Sequence, residues 1–267
     1  MGMRNTRMWV SLVGLSVFGV LLLNYFPSQL IGDGNFQGAI AAYAFYGVIF
    51  YVLVYLMGSS SLQYFRLPRW HVKSLIAFGW VMPMMWVNVT SPDNVSKPLA
   101  YAIPGVVFLF FVGFGEEVLS RGLVFGVLSR FGLYRAIFIS SLMFGLMHLN
   151  LYIGAGWDPW QAYAHVISTT SFGVLSCGLM ILTRSIWSSV ILHLFFNWNL
   201  VFDKDSGKSL SSPDWQFASL WDGLTYPLLG GLTAIAGGIL FLIIDRLGFP
   251  QILNRFAIKW KLVTPKL

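Results

Sequence analysis

This sequence has few charged residues and almost no cysteine. Of its 267 residues, 10% are charged and only one, Cys177, is a cysteine. A single cysteine excludes an internal disulfide framework and a thiolate metal cluster, and so low a charge is unusual for a soluble domain. The chain is instead 57% hydrophobic, with 11 tryptophans and a mean hydropathy of +0.71. This composition is typical of an integral membrane protein.

The hydrophobic residues are grouped into runs that match the thickness of a bilayer. About 20 residues of α-helix cross the hydrocarbon core. The runs therefore predict an all-α, multi-pass protein with about eight transmembrane helices. The predicted spans are about 8–27, 37–58, 74–91, 99–120, 135–153, 162–183, 186–202 and 224–244. No segment between them is long enough for a second soluble domain, so we expect residues 1–267 to form a single membrane domain.

The first of these runs follows a short basic segment, as a secretory signal peptide does. It is long, however, and it lacks a cleavage site of the small-x-small type. We therefore expect it to be a signal anchor and the first helix.

Basic residues lie mostly on one side of the predicted spans. Cytoplasmic loops retain Lys and Arg, so we expect this side, with both chain termini, to be cytoplasmic, and the membrane to be the cell membrane in a bacterium. The opposite side carries three lysines and seven aspartates. The net charge of +7 then reflects topology and attraction to the lipid bilayer, with no nucleic-acid partner. The basic residues on the cytoplasmic side are Arg4, Arg7, Arg66, Arg69, Lys73, Arg130, Arg135, Arg184, Arg246, Arg255, Lys259, Lys261 and Lys266.

Two adjacent glutamates interrupt the fourth hydrophobic run. Charges inside a membrane are expected where they pair, face the interior of a helix bundle or take part in chemistry. Glu117 and Arg121 are four residues apart, so on a helix they form an ion pair. Glu116 points about 100° away from Glu117 and lacks that partner, which makes it the better general base. The alternative is that this cluster only locks helices together or forms the cytoplasmic rim.

The same run is too long for one straight membrane crossing. About 30 residues from Leu99 to Leu128 span ~45 Å as a helix, against a hydrocarbon core of ~30 Å. We expect the helix to tilt, to break at one of its glycines, or to rest in the cytoplasmic interface over residues 118–130.

Two later runs each carry one histidine. His148 follows Phe144 by four residues in the fifth run, and His193 precedes Asn197 by four in the seventh. If residues 130–134 form a hairpin turn, Glu116 and His148 each lie 14 residues from it, and they face each other at similar depth. Each of these polar residues by itself could simply bond a neighbouring helix. Their convergence on the fourth, fifth and seventh helices favours an active site inside the membrane.

These residues form three motifs in a fixed order, Glu116-Glu117-x-x-x-Arg121, Phe144-x-x-x-His148 and His193-x-x-x-Asn197. The set resembles the type II CAAX prenyl endopeptidase and bacteriocin-processing family of intramembrane proteases, also called the CPBP or ABI family. The resemblance covers the region from about 113 to 198.

The resemblance implies an eight-helix endopeptidase with a cavity inside the membrane. Glu116 with His148 would activate a water, and His193 with Asn197 would stabilise the oxyanion. This is general-base hydrolysis without a covalent intermediate. Glu117 with Arg121 would be the supporting ion pair. The partner would be a membrane-associated or lipidated protein or peptide substrate.

A zinc site is the alternative chemistry. Glu116, His148 and His193 have the donor types of hydrolytic zinc sites. They come from three separate helices, however, and the sequence contains no His-Glu-x-x-His motif. We therefore expect no metal to be required.

Two other functions are compatible with these residues. An ion-coupled transporter also uses intramembrane acids and histidines, but it is expected to contain inverted repeats, and no matching second half is found. A non-catalytic scaffold or immunity protein of the same family is the other alternative.

The glycines near the end of the chain, Gly230, Gly231, Gly237 and Gly238, predict close helix packing.

Overall fold

The computed structural model is mostly helical in the part of the chain that it describes. The described residues are 36–57, 59–69, 71–92, 94–149, 159–204, 220–246 and 259. Within these ranges there is no β-strand, and a single isolated bridge pairs Asn94 with Asp203. The predicted all-α class is therefore confirmed.

Seven principal helices make up the described residues. They are α1 (Phe36–Leu56), α2 (Val72–Val89), α3 (Leu99–Phe131), α4 (Leu133–Met147), α5 (Pro159–Thr183), α6 (Ile186–Phe196) and α7 (Leu220–Arg246). A 3₁₀ turn, Ser60–Tyr64, follows α1, and a short helix, Asn199–Phe202, extends α6. The seven helices lie at the second to eighth predicted spans. The first predicted span, 8–27, lies outside the described residues.

Four of these helices are long and apolar enough to cross a bilayer. They are α1, α2, α3 and the Ala162–Thr183 part of α5. Helix α4 and the apolar helix Ile186–Phe202 have only 10 to 17 residues each, fewer than the ~20 needed for a full crossing. The protein is thus an integral membrane protein, whereas a total of eight spans stays a prediction.

Helix α3 is long for a single membrane crossing, and it runs from Leu99 to Phe131 without a break. Leu99–Glu117 is α-helical, Val118–Val124 winds as a π-helix, and the helix ends in Phe125–Leu128 and the 3₁₀ turn Ser129–Phe131. Every residue from 115 to 128 is buried. Neighbouring helices therefore cover this segment, and its position relative to the cytoplasmic interface stays a prediction.

Three serines that follow α1, at positions 59 to 61, hydrogen-bond to backbone carbonyls in and just after the π segment. The hydroxyl of Ser61 donates to the carbonyl oxygen of Gly122, and that of Ser59 approaches the same oxygen at 3.3 Å. The hydroxyl of Ser60 donates to the carbonyl of Gly126 at 3.0 Å. Short π-helical stretches occur often at functional sites, and this one begins directly after the glutamate pair.

Helices α5 and α7 cross at glycines. A Cβ atom on Gly178 would lie 2.8 Å from the carbonyl oxygen of Gly238, and one on Gly238 would meet the backbone of α5. Gly231 and Gly237 also contact neighbouring side chains, whereas Gly230 faces open space. Three of the four predicted packing glycines therefore lie in helix contacts, in which small residues let backbones approach closely.

We predict that Gly178→Ala destabilises the protein by about 1–3 kcal/mol, because the added methyl group forces two backbones apart. The matched control is Gly79→Ala in α2, where no atom lies within 4 Å of an added Cβ. That substitution is expected to be neutral or slightly stabilising. Thermal unfolding in detergent micelles measures both. Equal melting temperatures for the two variants would contradict the close crossing.

Candidate active site

The two glutamates end the α-helical part of α3 and lie inside the protein. Glu116 is 6% exposed and Glu117 is fully buried. The close approach of α3 to α6 places them there, because a Cβ on Gly113 would lie 3.0 Å from the carbonyl oxygen of Val190. Gly113 precedes Glu116 by one helical turn. A larger residue at this position would push the carboxylates away from α6.

Glu116 faces both histidines of the predicted site. Its Oε2 atom lies 3.6 Å from Nε2 of His148, just after α4, and 3.7 Å from Nε2 of His193 in α6. These distances exceed direct hydrogen bonds and leave Oε2 without a hydrogen-bond partner within the described residues. The structure thus brings three groups that can exchange protons to one point.

Glu117 forms the predicted ion pair with Arg121. Its Oε1 lies 3.2 Å from an Arg121 guanidinium nitrogen, and both side chains are completely buried. The guanidinium also lies over the ring of Phe144, at 4.5 Å from its centroid, and over that of Phe172, at 5.8 Å. Aromatic faces attract cations, and the attraction is stronger in a site without water.

Glu117 makes two further contacts that sequence reasoning missed. Its Oε1 is 3.0 Å from Nδ1 of His193, and its Oε2 accepts a hydrogen bond of 2.7 Å from the hydroxyl of Ser176 in α5. The partners are 76 and 59 residues away in the chain. No local spacing signals contacts of this kind, because they depend on how α5 and α6 pack against α3.

Both histidines have their Nδ1 atoms engaged. Nδ1 of His148 lies 2.8 Å from the carbonyl oxygen of Phe144, and this oxygen can only accept, so Nδ1 donates. Nδ1 of His193 donates in the same way to the carboxylate of Glu117. In its neutral form each ring therefore presents the Nε2 lone pair on the side of Glu116. Three acceptor atoms therefore face one another at this point of the site.

The rings of two phenylalanines enclose His193. Phe172 meets it edge-on at 5.1 Å between ring centroids, and Phe144 does so at 5.8 Å. Phe144 belongs to a motif, but Phe172 carries no sequence signal other than its aromatic side chain. Together they pack against the imidazole and limit its rotation.

Asn197 is the one predicted site residue without a side-chain contact to the others. It is half-buried at the C-terminal end of α6, and its backbone N–H donates to the carbonyl of His193 at 3.0 Å. Its side chain makes no hydrogen bond within the described part of the chain. It lies one helical turn beyond His193.

Zinc held by Glu116, His148 and His193 stays the alternative chemistry of this site. The described residues contain no group of three or more His, Cys, Asp and Glu side chains that could hold a metal ion.

One comparison with known proteins finds a matching family model. Residues 98–199, about two fifths of the chain, match the family model described as Type II CAAX prenyl endopeptidase Rce1-like. The matched segment contains all six predicted site residues. It confirms the resemblance drawn from the motifs and supports a protease of the CAAX type at the level of the family. No curated protein and no solved structure matches the chain.

We predict that Arg121→Met destabilises the protein by about 3–5 kcal/mol, because it leaves the buried Glu117 charge uncompensated. Adding Glu117→Leu is expected to recover part of this loss, since the uncompensated Glu117 charge is then removed as well. Arg135→Met, at an exposed position in α4, is the control and should change stability by less than about 0.5 kcal/mol. Denaturant unfolding in mixed micelles measures all three. Equal losses for Arg121→Met and Arg135→Met would contradict a buried ion pair.

Proposed function

We propose that this protein is an intramembrane endopeptidase that hydrolyses a peptide bond in a membrane-associated or lipidated substrate, as in CAAX processing. The observation that carries the proposal is the approach of Glu116 Oε2 to the Nε2 atoms of His148 and His193. The match of residues 98–199 to a protease family supports it. No specific observation favours a transporter or a scaffold.

In the proposed reaction, Glu116 and His148 bind a water and remove its proton. The resulting hydroxide attacks the carbonyl carbon of the scissile peptide bond and forms a tetrahedral intermediate. The proton is then delivered to the leaving amine nitrogen, and the C–N bond breaks. This is general acid–base catalysis, which needs its base within hydrogen-bond reach of the water.

His193 and Asn197 are the proposed donors to the oxyanion of that intermediate. Because Nδ1 of His193 already donates to Glu117, donation through Nε2 requires protons on both ring nitrogens, with Glu117 as the counter-charge. The Asn197 amide, one turn away, would supply a second donor. Fixed donors aimed at a developing oxyanion contribute about 3–4 kcal/mol each in a site shielded from water.

We further propose that the reaction needs no metal, that both termini are cytoplasmic and that the substrate reaches the site within the bilayer. If zinc were bound instead, its ligands would be Glu116, His148 and His193.

We predict that Glu116→Gln lowers cleavage by at least about 100-fold, because glutamine cannot accept the proton of the water. Purified protein in detergent is tested on prenylated CAAX peptides and on the same peptides without lipid. His193→Ala is the second variant and Gly79→Ala the control for folding. Both site variants should lose cleavage, and a chelator should have no effect on the wild type.

Two results would contradict this mechanism. Full cleavage by Glu116→Gln would show that Glu116 is not the general base. If a chelator abolished cleavage and added zinc restored it, the enzyme would be a metalloprotease. A folded wild-type protein that cleaves none of the lipidated peptides would contradict the CAAX-type substrate.

A further inference from the structure

Helix α5 contributes a buried serine to the site although it carries none of the motifs. Ser176 is fully buried, and its hydroxyl donates a 2.7 Å hydrogen bond to Oε2 of Glu117. Ser171 on the same helix is also buried, but its hydroxyl donates to the Ile167 carbonyl of its own helix. A helical serine is expected to bond a backbone carbonyl of its own helix, as Ser171 does. Ser176 instead bonds a side chain on another helix.

The hydroxyl of Ser176 gives the two oxygens of Glu117 different partners. Oε1 faces Arg121 and Nδ1 of His193, at 3.2 and 3.0 Å, while Oε2 faces Ser176. The terminal torsion of a glutamate is broad, so contacts to Oε1 alone leave the carboxylate plane poorly defined. The third bond fixes the plane and satisfies an oxygen that would otherwise be buried without a partner.

Ser176 is linked to His193 by a second route. The hydroxyl of Ser189 in α6 donates to the backbone carbonyl of Ser176 at 3.0 Å. Ser189 lies one helical turn before His193, on the same face of α6. Ser176 therefore contacts α6 through its backbone carbonyl and Glu117 through its hydroxyl.

From these contacts we infer that Ser176 is a positioning residue: it orients the Glu117 carboxylate, which holds His193 with Nε2 facing Glu116. This inference rests on the proposed function, because it assigns Ser176 an effect on the rate of that reaction. Ser176 does not touch the reacting atoms and acts only through Glu117.

The kinetic test compares two serines of one helix. Ser176→Ala should lower kcat by about 10- to 100-fold and change KM by less than about twofold, because it misaligns catalytic groups without altering the bound substrate. Ser171→Ala, the matched control, should cleave like the wild type. Ser176→Thr, which keeps the hydroxyl, should recover most of the rate.

A spectroscopic test needs no substrate. The chain contains four histidines, so protein labelled with ¹⁵N-histidine gives few side-chain signals, and His193→Ala identifies the signal of His193. The Nδ1 proton of His193 should resonate far downfield because it is bonded to a carboxylate. Ser176→Ala should shift or broaden this signal, and Ser171→Ala should leave it unchanged.

The outcomes separate this inference from the proposed function. If the wild type cleaves its peptide and Ser176→Ala cleaves equally well, the inference is wrong and the function stands. If the wild type cleaves nothing, the His193 signal alone decides the positioning role. An unchanged signal in Ser176→Ala overturns that role. If Ser176→Ala does not fold, Ser176→Thr decides: a wild-type signal supports the role, and a displaced signal in folded protein contradicts it.

Discussion

The carboxylate of Glu117 is the buried charge on which the geometry of this site depends. It holds Arg121 within its own helix, His193 on α6 and Ser176 on α5. A carboxylate inside a membrane protein is costly unless every oxygen has partners, and removal of one partner leaves the charge exposed to the low dielectric of its surroundings. The three helices are therefore held in the one arrangement that satisfies this group, and His193 takes its orientation from it.

The backbone around the two glutamates is adapted to this arrangement. The π segment begins at the residue after Glu117 and carries Arg121, while the serine hydroxyls that follow α1 bond to the carbonyl oxygen of Gly122 within it and to that of Gly126 just beyond it. Gly113 lets α3 approach α6 closely enough for the glutamates to meet His193. The π winding of α3 and its close packing against α6 thus both support the contacts of the two glutamates.

Adjacent glutamates in this protein have different surroundings and, in our proposal, different functions. Glu117 is fully bonded and supports its neighbours, whereas Oε2 of Glu116 faces two histidine nitrogens at distances longer than direct hydrogen bonds. Environment, more than residue type, assigns the roles of paired carboxylates in hydrolytic enzymes. The phenylalanines around His193 and Arg121 strengthen these interactions by keeping water away from them.

The sequence by itself determined the membrane class, the all-α fold, the pairing of Glu117 with Arg121 and the common depth of Glu116 and His148. Each of these follows from composition or from spacing along one helix or hairpin, where chain geometry alone sets the distances. Only the tertiary structure decided the short lengths of α4 and α6, the π winding of α3, and the contacts of Glu117 with His193 and Ser176. These contacts join residues 76 and 59 positions apart, and such distances depend on how whole helices pack, which no local pattern encodes.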